Sequence, residues 1–211
     1  MTTDTTSCIK KCRGRPKVFD REVALDKAMT LFWQHGYEAT SLSDLVEATG
    51  AKAPTLYAEF VNKEGLFRAV LDRYIERFST QHEAQLFCKE KSVEQALRDY
   101  FTAIATCFTS KETPGGCFII NTSTALAASS AEIAQTIKAR HTLREQTLQK
   151  FLSERQAAGE IPADKPVCQL AEFLSCILQG MSVSARDGAS LEKLLQITDT
   201  TLKLWPQIIK S

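Results

Sequence analysis

Apolar residues recur every three or four positions along most of this chain, with no sustained run at every second position. That spacing is the α-helical period. Leu25, Ala28, Met29 and Phe32 mark a first helix, capped by Asp20 and ended near His35 by Gly36. Ser41 stands before Leu42-Ser43-Asp44 in a Ser-x-x-Asp capping pattern. Leu42, Leu45 and Val46 face inward behind it, and Gly50 supplies the permissive backbone that ends the helix. A further short helix starts around Lys52 to Pro54, where a first-turn proline costs no hydrogen bond. It turns Leu56 and Phe60 inward and leaves Lys52, Thr55, Tyr57 and Ala58 outside.

Asn62 then caps a long helix predicted to run to about Gln85, striped by Phe67, Val70, Leu71, Tyr74, Ile75 and Phe78. The next is predicted from about Ser92 to Ser110. Lys111-Glu112-Thr113-Pro114-Gly115-Gly116 breaks it sharply. A short helix from Cys117 to about Ala127 follows, and Ala128-Ser129-Ser130 resets the chain, with Ser130 as a cap. A long helix then runs to about Ala158 and is closed by Gly159. The last two cover about 166–187 and 190–208. The predicted fold class is therefore all-α, with about nine helices.

Two short helices, a glycine-bearing turn and an outward polar face on the second helix are the pattern of a helix-turn-helix, sized for the DNA major groove. PTLYAEFVNKEGLF, with LFWQHGYEATS before it, resembles the DNA-binding end of the TetR family of bacterial transcriptional regulators over roughly residues 19–75. The resemblance implies a three-helix DNA-binding domain followed by a helical domain for effector binding and dimerisation. The expected organisation is a polar tail over 1–12, a DNA-binding domain with a basic arm over 13–62, and an effector-binding and dimerisation domain over 63–211.

Charge changes this picture only locally. The net charge is +1, so bulk charge does not advertise a nucleic-acid binder, but Lys10, Lys11, Arg13, Arg15 and Lys17 cluster without an acid among them. Arg13 and Arg15 form a basic arm suited to a minor groove. By position, Thr40, Ser41, Tyr57 and Lys63 are assigned to phosphates. Base edges fall to Lys52, Pro54 and Thr55, with Ala53 against a thymine methyl. Lys63 opens a helix, so backbone donors and its ammonium converge on one phosphate, and the resemblance implies the same role. It also often places Ser or Thr where Lys52 stands; a lysine cannot cap a helix.

The resemblance implies a homodimer through the last two helices, with double-stranded operator DNA as partner. It also implies a small effector held in the second domain. Phe78, Phe101, Ile104, Phe108, Phe118, Thr122 and Phe173, with Asn121 as a polar anchor, are candidates to surround an apolar cavity. Tyr74 and Ile177 extend the same faces. Each of these also reads as plain core. Their apolar, aromatic character points to a mainly hydrophobic effector.

Seven cysteines, an odd number with no Cys-x-x-Cys pair, read as free thiols in a reduced, cytoplasmic protein. No leader-like run precedes Cys12, and no stretch of about 20 apolar residues calls for a membrane. Cys107 and Cys117 flank the tight turn. A thiol at a helix start has a lowered pKa, so an alternative reading is a repressor sensing oxidants or electrophiles through this pair. The simpler reading is two buried small side chains. Cys8 and Cys12 lack the further ligands a metal needs. His35, His82 and His141 fall on separate helices, and no nucleophile elbow, metalloprotease, phosphate-loop or dinucleotide motif occurs. No enzyme and no cofactor are expected.

Overall fold

The computed structural model describes residues 19–124, 126 and 131–210, and all regular structure among them is helical. The elements are α1 (Arg21–Ala39), α2 (Leu42–Thr49), α3 (Ala53–Phe60) and α4 (Lys63–Tyr74). A π-helical turn (Ile75–Ser79) and α5 (Thr80–Glu83) follow, then α6 (Val93–Phe108), α7 (Phe118–Thr124), α8 (Ala131–Ala157), α9 (Val167–Arg186) and α10 (Leu191–Ile208). Arg13 and Arg15, Cys8 and Cys12, and the reset at Ala128-Ser129-Ser130 lie outside the described residues.

The local signals act where the sequence placed them. Asp20 accepts from the amides of Glu22 and Val23 at the start of α1. Ser41 and Asp44 form a reciprocal capping box on α2: the Asp44 amide donates to Ser41 Oγ at 3.1 Å and the Ser41 amide to Asp44 Oδ2 at 2.7 Å. Gly50 ends α2 in the left-handed region at φ 69°. Gly36, at φ 81°, kinks α1 rather than ending it, and one further turn carries the chain to Ala39.

The long fourth helix differs from its prediction. At Ile75–Ser79 one extra residue per turn is accommodated. This rotates the following side chains relative to α4, so the apolar stripe read from Phe67 to Phe78 changes direction there. Phe67, Val70, Leu71 and Tyr74 are buried against the first helices, whereas Phe78 is only half-buried.

α4 packs on α1, and α7 reaches back to α1 as well. The join is aromatic. Phe118, the first residue of α7, lies 6.1 Å from Trp33, 5.6 Å from Phe67 and 5.4 Å from Tyr74 between ring centroids. A charged clamp adds to it: Arg73 of α4 donates to both carboxylate oxygens of Asp26 on α1, at 2.6 and 2.9 Å, and also pairs with Glu22.

α8 packs on α9, and α6 on α10. α9 is the one helix among the described residues with the length and mean hydropathy, 1.2, to cross a bilayer, although only 39% of that stretch is buried. One face explains part of this: Leu170, Leu174, Leu178 and Met181 enter the core. On the other side Phe173, Cys176, Gly180 and Val183 are exposed, with Ile177 half-buried. Phe173, expected inside a cavity, is 38% exposed on this outer face. The buried face of α9 takes in Ala171, Ser175 and Ser182 as well as Leu170 and Leu174, so it is centred away from Phe173.

Candidate functional site

α3 presents its outer face as the sequence predicts. Leu56 and Phe60 are 3% and 5% exposed and fix the helix to the core, while Lys52, Pro54, Tyr57 and Ala58 face out. Ala53 and Thr55 are half-buried. Lys52 occupies the cap position and makes no side-chain capping bond, which leaves its ammonium free to reach outward. Arg21 of α1 pairs with Glu59 on the last turn of α3 at 2.7 Å, holding the helix from the side.

Two assigned phosphate contacts stand differently. Thr40 is 1% exposed, and its hydroxyl donates to the Gly36 carbonyl at 2.8 Å. It closes the kinked end of α1, and its side chain cannot serve a phosphate from there. Ser41 is exposed, and its oxygen accepts from the Asp44 amide. The Lys63 ammonium rests on the Tyr37 ring, 4.4 Å from the centroid, and donates to the Glu38 carbonyl at 3.4 Å. Burial pushes its pKa below the usual lysine value, while Glu38 and Asp44 pull it back. Lys63 opens α4, whose cap is Asn62 Oδ1 accepting from the Gly65 amide at 2.8 Å.

The α3–α4 corner is set by two residues that sequence reasoning passed over. Val61 sits at φ 67°, which a β-branched residue rarely adopts. A Cβ added at Gly65 would lie 2.0 Å from the Phe60 carbonyl oxygen. Gly65 is thus the position at which the end of α3 touches the first turn of α4. A glycine at the third position of a helix carries no periodicity signal, so only the packing reveals it.

Farther in, the predicted effector residues separate into groups. Tyr74, Ile104 and Phe108 line a small, partly enclosed cavity of about 30 Å³, together with Ser79, His82, Glu83, Tyr100, Cys117, Arg144 and Leu178. Phe78 lines a neighbouring open groove of about 490 Å³ between α1, the π-turn and α6. His82 borders both spaces. Phe101 and Phe118 are core, at 1% and 0% exposure. Asn121 and Thr122 are buried, and the Asn121 amide donates to the Gly115 carbonyl at 2.9 Å, so it anchors the turn rather than a ligand. Ile177 lies beside Phe173 on the outer side of α9, not on the cavity wall.

Cys117 is 1% exposed, just ahead of the seven-residue α7, and its amide donates to Ser182 Oγ at 2.8 Å. Its Sγ accepts from Tyr74 Oη at 3.4 Å and from Arg144 Nη2 at 3.5 Å. Helix-start chemistry is therefore not what distinguishes this thiol; a guanidinium is. Burial pushes the Tyr74 hydroxyl well above its ordinary pKa, with the Cys117 sulfur adding to the effect. Burial opposes the Arg144 cation, but Cys117, Tyr100 and Tyr74 outweigh it and raise its pKa. Burial, and then Cys117, push the Cys107 thiol up to about 11. Cys107 itself borders the groove rather than the inner cavity. Arg144 gave no warning in the sequence, being one basic residue on a helix with polar groups on every side.

With this geometry in hand, the comparisons are informative. The family described as bacterial regulatory proteins, tetR family, matches residues 24–70, and the tetracyclin repressor-like C-terminal domain matches residues 93–197. The chain is 72% identical over 210 residues to the HTH-type transcriptional repressor ComR of Escherichia coli K12, covering 100% of both. It is 27% identical over 181 residues to the HTH-type transcriptional repressor BdcR of the same organism, covering 86% of each. Among solved structures, a cysteine mutant of the TetR family regulator CifR, complexed with 26-base-pair double-strand operator DNA, superposes with a TM-score of 0.86. It is 32% identical and covers 91% of this chain and 100% of that one.

Proposed function

Because this chain belongs to the TetR family and is a DNA-binding transcriptional repressor within it, we propose that it acts in the cytoplasm as a homodimer released from its operator by a small, mainly hydrophobic effector. The DNA-binding domain is 13–62 and the effector and dimerisation domain 63–211. Lys52, Pro54, Thr55 and Ala53 read base edges, Ser41, Tyr57 and Lys63 hold phosphates, and Arg13 and Arg15 enter the minor groove. The complex of CifR with operator DNA supports docking of this fold on a duplex.

Dimerisation is supported by the outer face of α9. Phe173, Cys176, Gly180 and Val183 follow one another at helical spacing and are exposed, as are Leu191 and Leu204 of α10. A Cβ added at Gly180 would meet nothing within 4 Å in its own subunit. The glycine therefore suits close approach by a second copy, and two helices from each subunit make a four-helix bundle.

One observation carries the release mechanism: Phe118 and Tyr74 belong to the same ring cluster as Trp33 and Phe67. Tyr74 also lines the inner cavity. A ligand that enlarges this cavity displaces Tyr74 and Phe118, and with them the packing of α1 on α4. The two recognition helices, roughly 34 Å apart in the bound dimer, then lose their match to successive grooves. The ligand shifts the equilibrium only as far as it prefers the released conformer.

The test is to capture sheared genomic DNA of the host with the purified protein, sequence what is retained, and measure mass in solution by sedimentation. A dimer that enriches discrete promoter segments is the expected result. A monomer that retains DNA without sequence preference refutes the reading.

The contact of Arg144 with Cys117 favours a second reading, in which a reactive thiol at Cys117, with Cys107, senses an oxidant or electrophile. Its test is Cys117→Ser: full loss of oxidant-driven operator release supports it, and unchanged release removes it.

A further inference from the structure

We propose that the inner cavity and the adjoining groove form one receptor for an organic monoanion, its carboxylate held by Arg144 and Tyr100 and its apolar body passing His82 into the groove. This rests on the effector reading above and gives that effector its chemical class.

The cavity wall brings Arg144 and the hydroxyls of Tyr74, Tyr100 and Ser79 together, with Glu83 as its carboxylate. Arg144 pairs with no carboxylate among the described residues; it donates to the Cys117 sulfur, at 3.5 Å. By contrast Arg21, Arg68, Arg73, Arg98, Arg140 and Arg155 each sit against a carboxylate. Arg144 is half-buried, and a guanidinium partly withdrawn from water is costly unless an anion or several acceptors compensate it; a thiol sulfur is a weak acceptor. Tyr100 is 2% exposed and lines the same cavity, so its hydroxyl stands beside the guanidinium where a ligand oxygen would meet both. Tyr74 already donates to Cys117.

Two other titratable groups face this space. Burial keeps His82 below its ordinary pKa and so favours its neutral form. Burial also pushes Glu83 above the usual carboxylate range, while Arg144 pulls it back. Glu83 makes no ion pair with Arg144 among the described residues, so the guanidinium keeps its charge for a ligand.

Size fixes the rest. A void of about 30 Å³ has room for about two water molecules, the size of a ligand's head group rather than its body. The groove, at about 490 Å³, lies within the range of small-molecule sites; Met29, Phe78 and Ala103 give it apolar patches among polar groups that include Asp26, Arg77 and Glu112. The π-turn divides the two spaces, with Ser79 on the cavity side and Phe78 on the groove side. Such turns recur at functional sites because they yield locally without unwinding a whole helix. A body in the groove lies between α1 and α6, and a head on Arg144 draws the guanidinium off Cys117. Both changes act on the contacts that join the two halves of the chain.

The experiment titrates the full-length dimer calorimetrically with octanoate, benzoate and 4-phenylbutyrate, each against its uncharged amide. At least one carboxylate is expected to bind at least about tenfold more tightly than its amide, the discrimination a charge-assisted pair provides. Arg144→Gln is expected to erase that difference, Arg144→Lys to keep part of it, and Tyr100→Phe to reduce it a few-fold. Equal binding of acid and amide by the unaltered protein, or no binding by any of the acids up to about 10 mM, overturns the proposal without any variant. So does a preference that survives in a folded Arg144→Gln protein. Operator release is read in parallel. Uncharged compounds releasing DNA while carboxylates do not bind overturns this inference and leaves the effector mechanism standing. Carboxylates that bind through Arg144 without releasing DNA support this site and defeat the mechanism.

Discussion

Gly65→Ala is a substitution on which local propensity and packing disagree in sign. Gly65 lies in the first turn of α4, where alanine is the better helix former by about 1 kcal/mol. Judged from the helix alone, the variant is more stable. The structure says otherwise, because the new Cβ would stand 2.0 Å from the Phe60 carbonyl oxygen and 3.2 Å from its carbon. A carbon–oxygen contact needs about 3.3 Å, so the end of α3 and the start of α4 must part by more than 1 Å, roughly the difference of the two distances. Neither side yields easily. Phe60 is 5% exposed in the core, and Asn62 ties the Gly65 amide at 2.8 Å. Overpacking of this kind costs about 1–3 kcal/mol, which for a chain of this size lowers Tm by about 3–10 °C. The displaced element is the recognition helix, so operator affinity falls as well, at an unchanged salt slope because no phosphate contact is removed. Thermal unfolding by circular dichroism and fluorescence-anisotropy titration on a retained DNA segment measure both. A variant with an equal or higher Tm and unaltered affinity refutes the claim that this glycine is held by α3.

Three further predictions address the interface, the clamp and the dimer. Lys63→Ala should weaken binding to all sequences alike and flatten the salt dependence by about one phosphate contact, whereas Thr55→Ala should alter preference among sequences; titrations at several salt concentrations on operator and scrambled duplexes separate the two. Asp26→Asn removes the carboxylate that Arg73 grips, at a cost of about 1 kcal/mol in unfolding experiments. The hydrogen bond from Arg73 holds the Asp26 carboxyl below its ordinary pKa, against burial. Its contribution is therefore complete above the ordinary carboxylate value and is lost as pH falls through the depressed one, so the gap between wild type and variant should close in acid. Phe173→Glu places a charge on the outer face of α9; sedimentation should show dissociation to monomers that keep their helical content, and a dimer of unchanged affinity would move the interface elsewhere.

What was legible in the sequence was what is decided locally. The Ser41–Asp44 box, the left-handed Gly50 and the Pro54 start each depend on residues within a turn of one another, and all three stand as read. What was not legible depends on phase or on distant partners. Phe173 was placed inside because α9 is apolar on two faces, and period alone does not say which face meets the subunit's own core. Phe118 was read as lining a cavity, but its neighbours Trp33 and Phe67 come from helices 85 and 51 residues earlier, so its burial is a tertiary fact. Thr40 was given to a phosphate by position, although a threonine four residues after a kinking glycine can satisfy the freed carbonyl, as Thr40 does for Gly36. Arg144 was passed over for the same reason: the thiol and phenols that define its role lie 27 or more residues away along the chain.

The geometry also explains why a small event inside can reach the DNA. α4 has 12 residues, so it is about 18 Å long, and it ends at the cavity on one side and at the Lys63 corner on the other. A tilt of about 10° about Tyr74 therefore moves Lys63 by about 3 Å over that length, comparable to the reach of a hydrogen bond. On the proposed mechanism both subunits tilt, so the error across the pair doubles while the groove spacing does not change. Moving such an equilibrium from almost fully bound to almost fully released requires about 10⁴-fold preference for the released state. An effector held only by apolar contact in a 30 Å³ void cannot supply that. One that brings an anion to Arg144 and fills the groove beside α1 acts on two independent contacts, in each of two subunits. Preferences at separate sites multiply, so about tenfold at each of the four contacts is sufficient.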